Sequence, residues 1–268
     1  MSATGSTQAE TTADQSLVAD VSWRKMALIA GLSLLVIALL APFVVFGVLG
    51  ALVVPGNSPA TFDNIVASEG LFRAGIAAFL VVIMLDVVVA WALYVLLRPV
   101  NRAVALLTAW LRLAFAAVFG GALVNLLDAA ELVAGAGEST LPLEQLYAQV
   151  MSSIASFEVG WTGIALAIFG LHLLGLGYLL FKSEDFSKVL GVLVIIAGGG
   201  YLFDSFGTIL VADYGLTIAM FTFVGEALLI FWLLWRAIRG FPSDSERPGE
   251  GLKATRLAQP ASSAPMSR

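Results

Sequence analysis

The sequence predicts an all-α polytopic membrane bundle: six transmembrane helices with an extra amphipathic helix in the third connection. Three observations predict it. Only 12% of the 268 residues are charged, where soluble domains carry about 25%, and the mean hydropathy is +0.94. Six apolar stretches each reach the ~20 residues that a helix needs to cross a bilayer. Basic residues gather at alternate connections, the pattern that charge-directed insertion leaves.

Composition also excludes whole classes. A net charge of −5 leaves no basic face for nucleic acid. With no cysteine there is no disulfide, thiolate metal site or cysteine nucleophile. The single histidine, His172, rules out motifs that need two, such as the zincin HExxH. No metal or cofactor is expected.

Residues 1–22 are polar, acidic and without an apolar face, and read as a disordered cytoplasmic tail. Arg24-Lys25 then opens the first span, 26–54, long enough to tilt or bend, with Pro42 as the expected kink. The loop 55–70 carries Asp63 and Glu69 and no base. The second span, 71–97, and the third, 103–127, flank the basic turn Arg98-Pro-Val-Asn-Arg102. Small residues four apart, Ala116 with Gly120 and Ala117 with Gly121, offer the third span a face for close helix contact.

Residues 128–158 form the longest internal hydrophilic connection, with five acids and no Lys or Arg. Its second half repeats Leu143, Leu146, Tyr147, Val150, Ile154 and Phe157 at helical spacing. That predicts an amphipathic helix over 141–157, after Thr140 as N-cap, docked on the protein's own helices or mobile as a gate. The fourth span is 159–181, the fifth 189–211 after a short charged turn, and the sixth 215–235 after a tight turn with Asp213. Residues 240–268 read as a second disordered cytoplasmic tail, leaving 23–239 as one transmembrane domain.

Orientation follows from charge. Arg24, Lys25, Arg98, Arg102, Lys182, Lys188, Arg236 and Arg239 all fall on one side of such a bundle. The other side's connections hold acids and no base, apart from Arg73 just inside the second span. Both termini are therefore expected in the cytoplasm.

Depth follows from a helical rise of ~1.5 Å per residue. Asp86 lies ~18 Å in from Arg98; Arg112, His172 and Glu226 each lie ~15 Å in from their nearest inner base. Four stretches thus place an ionisable group near mid-membrane, where a charge facing lipid costs at least ~2.5 kcal/mol. The four are expected to face inward and meet, with Arg112 paired to Asp86 and His172 or Glu226 completing the network. Asp204, ~24 Å above Lys188, is expected to pair with Arg73 reaching down from the outer edge.

Several of these segments are also familiar as motifs. Leu71-Phe-Arg73, Asp86-Val-Val-Val-Ala90, Leu93-Tyr-Val-Leu-Leu-Arg-Pro-Val-Asn101 and Arg112 resemble a bacterial membrane family, the domain of unknown function DUF4386. Gly170-Leu-His-Leu-Leu-Gly-Leu-Gly-Tyr-Leu-Leu-Phe-Lys-Ser183 and Tyr201-Leu-Phe-Asp-Ser205 are similar to its second half. The resemblance covers roughly Lys25 to Arg239 and implies a bacterial inner-membrane protein of about six spans. It carries no activity and no functional residues.

Three functions compete on the residues. The first is a non-enzymatic protein whose charged layer binds a small or lipid-like ligand. The second is a small proton-coupled transporter or permease, with Asp86, Glu226 and His172 as relay and a homodimer as its working form. The third, an intramembrane enzyme built on Asp86 and Glu226, is disfavoured because Arg112 would hold Asp86 charged instead of letting the two share a proton. The bilayer itself is the expected partner in every case.

Overall fold

The computed structural model describes residues 23–239 except 213. The two expected tails and the Asp213 turn lie outside the described residues. Helix α1 spans Trp23–Leu52. It runs through Pro42, the expected kink, into a π-helical stretch, Phe43–Leu49. The loop expected over 55–70 holds a helix instead, α2, Ser58–Ala67. Asn57 starts it, its side chain accepting from the Ala60 N–H at 3.1 Å, and Phe62 and Ile65 bury its inner face.

Helix α3 spans Glu69–Leu97 and α4 spans Arg102–Ala134. Asn101 turns the chain between them, accepting from the Val104 N–H at 3.1 Å. Helix α4 outruns its expected end at residue 127. Its helical period continues past the acids, with Ala129, Ala130 and Val133 buried while Asp128 and Glu131 face water.

A 3₁₀ turn, Ala136–Glu138, leads to α5, Leu143–Lys182. The amphipathic helix and the fourth span, expected as separate elements, are one helix of 40 residues. The junction is absorbed as a π-helical stretch, Val159–Ala165. The first half of α5 buries Leu146, Val150, Ile154 and Phe157, packing on α4 and α2. At ~60 Å, α5 is twice the thickness of a hydrocarbon core.

Helix α6 spans Lys188–Leu210, α7 Ala219–Thr222 and α8 Val224–Arg239. The sixth span, expected over 215–235, is not one helix: α7 and α8 are separated at Phe223, whose carbonyl starts α8 by accepting the Glu226 and Ala227 N–H groups. Five helices, α1, α3, α4, α5 and α6, are long and apolar enough to cross a membrane; α8, at 16 residues, is shorter. No strand occurs among the described residues.

Packing joins these elements into a closed ring. Helix α1 packs on α3, α3 on α4, α4 on α5, α5 on α6, α6 on α8, and α8 returns to α1. Arg24 locks the closure, donating from Nε to the Ala237 carbonyl at 3.1 Å and from Nη2 to that of Ile238 at 2.7 Å. Those are end carbonyls of α8, which lack helical partners. The tightest seam joins α5 and α6, where Gly170 faces Gly198 and Gly177 faces Gly191. A Cβ on any of the four would sit 2.7–2.8 Å from the opposing carbonyl oxygen. By contrast, Gly121 meets nothing within 4 Å, so the close contact expected on the third span is not made there.

Aromatic rings fill the interior. Phe79, Phe119, Phe157 and Trp161 lie mutually within 6.4 Å, and Phe115 carries the stack down to Phe169. Outside, large apolar residues such as Leu39, Trp110 and Phe231 stand exposed, as lipid-facing walls require.

Candidate functional site

A carboxylate only accepts hydrogen bonds and a guanidinium only donates them. Asp86 on α3 and Arg112 on α4 meet on that basis near the ring's centre. Arg112 Nη2 donates to Asp86 Oδ1 at 2.6 Å and Nε donates to the same oxygen at 3.0 Å. Both side chains are 2% exposed. Neighbouring places in the ring bring the helices together, and the Asn101 turn aligns the two depths.

His172 on α5 joins them, 1% exposed. Its Nδ1 lies 2.8 Å from the Thr108 carbonyl and its Nε2 3.1 Å from Arg112 Nη1. A carbonyl cannot donate and an arginine cannot accept, so the tautomer is assigned by its neighbours. Nδ1 carries the proton and donates to Thr108, while Nε2 accepts from Arg112. Phe169, one turn before His172, stacks on the imidazole at 5.6 Å and lies under the guanidinium at 5.4 Å.

Glu226 stands apart from this triad. It sits in the first turn of α8, half-buried, with the Tyr201 hydroxyl of α6 hydrogen-bonded to its carboxyl. Arg112 and Asp86 lie within electrostatic reach of it. Its Oε1 is buried and has no hydrogen-bond partner. Tyr201 in turn meets Phe169 edge-on at 5.3 Å, so Phe169 separates the two halves of the layer.

The expected outer pair, Arg73 with Asp204, does not form. Helix α3 neighbours α1 and α4 in the ring, not α6, so the two residues are held apart. Arg73 bonds instead to Glu69, one turn earlier on its own helix, at 2.7 Å. Asp204 accepts from the Tyr214 hydroxyl at 2.7 Å, the Ile218 N–H at 3.0 Å and the Ala219 N–H at 2.7 Å. It thereby caps the start of α7.

Phe169, Thr108 and Tyr201 took no part in the charge count because none of them is an Asp, Glu, His, Lys or Arg. Their one legible signal is helical offset: Thr108 lies four residues before Arg112, and Phe169 three before His172.

Two cavities flank the layer. One of about 590 Å³ opens between α4 and α5 at the acidic end, lined by Asp128, Glu131, Gln149, Ser152 and Ser153 among others. The other, about 10 Å³, touches His172, Thr108 and Tyr94 from the basic side; that is room for about one water. Neither reaches Asp86 or Arg112. No group of three or more His, Asp or Glu placed to hold a metal occurs among the described residues.

Comparison with known proteins adds a family and one relative. The family described as "Domain of unknown function (DUF4386)" matches residues 29–237, a stretch that contains all four groups of the layer. An uncharacterized protein of Archaeoglobus fulgidus is 35% identical over 159 residues, covering 59% of this chain and 81% of the relative. No solved structure matches.

Proposed function

The chain belongs to the DUF4386 family, and for this member we propose a non-enzymatic six-span protein that binds a small lipophilic cation at Glu226. Its place is the cytoplasmic membrane, with both termini in the cytoplasm, on the strength of the basic residues gathered at one end. The sixth crossing is made jointly by α7 and α8.

One observation carries the reading. Three of the four groups in the layer satisfy one another, and the fourth is left over. Arg112 spends donors on all three of its nitrogens, on Asp86 and His172. Glu226 keeps a buried oxygen with no partner. A carboxylate far from water needs a positive charge beside it. Arg112, within electrostatic reach, has committed its donors to Asp86 and His172, and no ion pair to Glu226 forms among the described residues, so a ligand bearing a basic group suits this carboxyl. The triad in this reading is a clamp that sets helix register, with Asp86 bound too tightly to act as a catalytic acid.

Tetraphenylphosphonium, a lipophilic cation, tests the reading. Titrated into the purified protein in neutral detergent, it is expected to bind saturably to the parent. Glu226→Gln, which keeps the shape and removes the charge, is expected to weaken binding at least ~10-fold, or ~1.4 kcal/mol. Equal binding by the two proteins contradicts the proposal.

The break between α7 and α8 at Phe223 favours a second reading, transport, since broken helices at mid-membrane mark many transporter sites. The relay in this version runs through Glu226 and Tyr201. His172 drops out, because its two nitrogens are committed to Thr108 and Arg112. Vesicles reconstituted with Glu226→Gln are then expected to lose uptake of the same cation at unchanged protein content.

A further inference from the structure

Above Glu226 the chain does something that the clamp and the seat do not require. After α6 ends at Leu210 it turns back along the same helix, with Tyr214 stacked over Gly207 and Thr222 over Gly200. Both glycines leave no room for a side chain: a Cβ at either would collide with the residue resting on it. Between these two contacts lies Asp204. Its carboxylate holds the segment by three hydrogen bonds, one to the Tyr214 hydroxyl and two to the Ile218 and Ala219 N–H groups. The lower contact, at Gly200, is next in sequence to Tyr201, which holds Glu226. The segment ends at Phe223, where helical bonding is interrupted just before Glu226.

From this geometry we infer that residues 214–222 form a strap over the outer approach to Glu226, with Asp204 as its latch and Phe223 as its hinge. The inference rests on Glu226 being the ligand's seat and adds the route by which the ligand arrives. Closed, the strap gives its Ile218 and Ala219 N–H groups to Asp204. Swung away, it exposes the space above Tyr201 and Glu226 to the acidic end of the bundle. The hinge and the residues joining Leu210 to Tyr214 take up the movement, while α8 below the hinge stays anchored by the close approach of Gly225 to Leu193 and by Arg24 at its far end. Leu216 and Phe221 of the strap are 61% and 79% exposed. Segments of that kind open at low cost.

The absence of cysteine in the chain makes the test direct. Glu226→Cys places one thiol at the seat. The reagent is a small cationic methanethiosulfonate added from the acidic side to protein in sealed vesicles. Modification is expected to be slow with the latch intact. It should be at least ten-fold faster when Asp204→Ala removes the latch or Gly207→Ala lifts Tyr214. Gly199→Ala, whose new methyl meets nothing within 4 Å, is expected to leave the rate unchanged. Should Glu226→Cys fail to fold, Thr222→Cys reports on the strap's own inner face with the same expectation. Equal rates with and without the latch overturn the proposal. The thiol replaces the carboxyl, so these rates do not depend on whether Glu226 binds a cation. Equal tetraphenylphosphonium binding by the parent and Glu226→Gln would sink the seat and spare the strap.

Discussion

A guanidinium has five N–H donors and no acceptor, so whatever surrounds Arg112 must offer lone pairs. Asp86 and the bare nitrogen of His172 do so, and the Thr108 carbonyl fixes which nitrogen is bare. His172→Leu is therefore expected to cost about 1–3 kcal/mol in thermal unfolding, because it strands one donor and one carbonyl. His172→Gln, which keeps a donor and an acceptor, is expected to recover part of that loss. Distance to a basic edge gave the four charged residues a common level along the bundle, and three of the four groups do touch. What spacing could not give was direction around the helix. Counting residues reports height in the membrane; it says nothing of which neighbour stands beside a residue at that height. Arg73 and Asp204 show the difference, since their heights permitted a pair that the order of helices in the ring forbids.

Among the elements, close packing is decided by glycines seven apart, not by the small residues on α4. Gly177→Val is expected to separate α5 from α6, because its Cβ would meet the Gly191 backbone at 2.7 Å. Overpacking of that kind costs about 1–3 kcal/mol or more, visible as a lowered melting temperature. Gly121→Ala is expected to change stability by less than about 0.5 kcal/mol, since nothing lies in its way. The reason the sequence pointed to α4 is that small residues at i, i+4 signal a possible contact; only the partner's matching glycines make it real, and those lie in another segment. Helix ends were misjudged for a related reason. A hydropathy window stops at Asp128 and at Glu158, but helical bonding does not stop there. The apolar face of α4 runs on through Ala129 and Val133, and α5 passes its polar stretch by widening into a π-helix.

For the whole molecule, the ring has a triad binding three consecutive walls, α3, α4 and α5, and a carboxyl outside that triad on a fourth, α8. Aromatic side chains fill the space above the triad, leaving the strap side as the approach to the seat. Reporter fusions at either terminus are expected to place both in the cytoplasm, opposite the 590 Å³ cavity. The central claim is that Asp86 and Arg112 neutralise each other and owe nothing to a ligand. It is tested most directly by unfolding four proteins in detergent: the parent, Asp86→Leu, Arg112→Met and the double variant. Each single change should cost about 3–5 kcal/mol by leaving its partner charged and alone in a dry interior, while the double variant should return close to the parent. If the double variant instead loses the sum of the two, the pair is not a self-contained clamp, and the account of this layer is wrong.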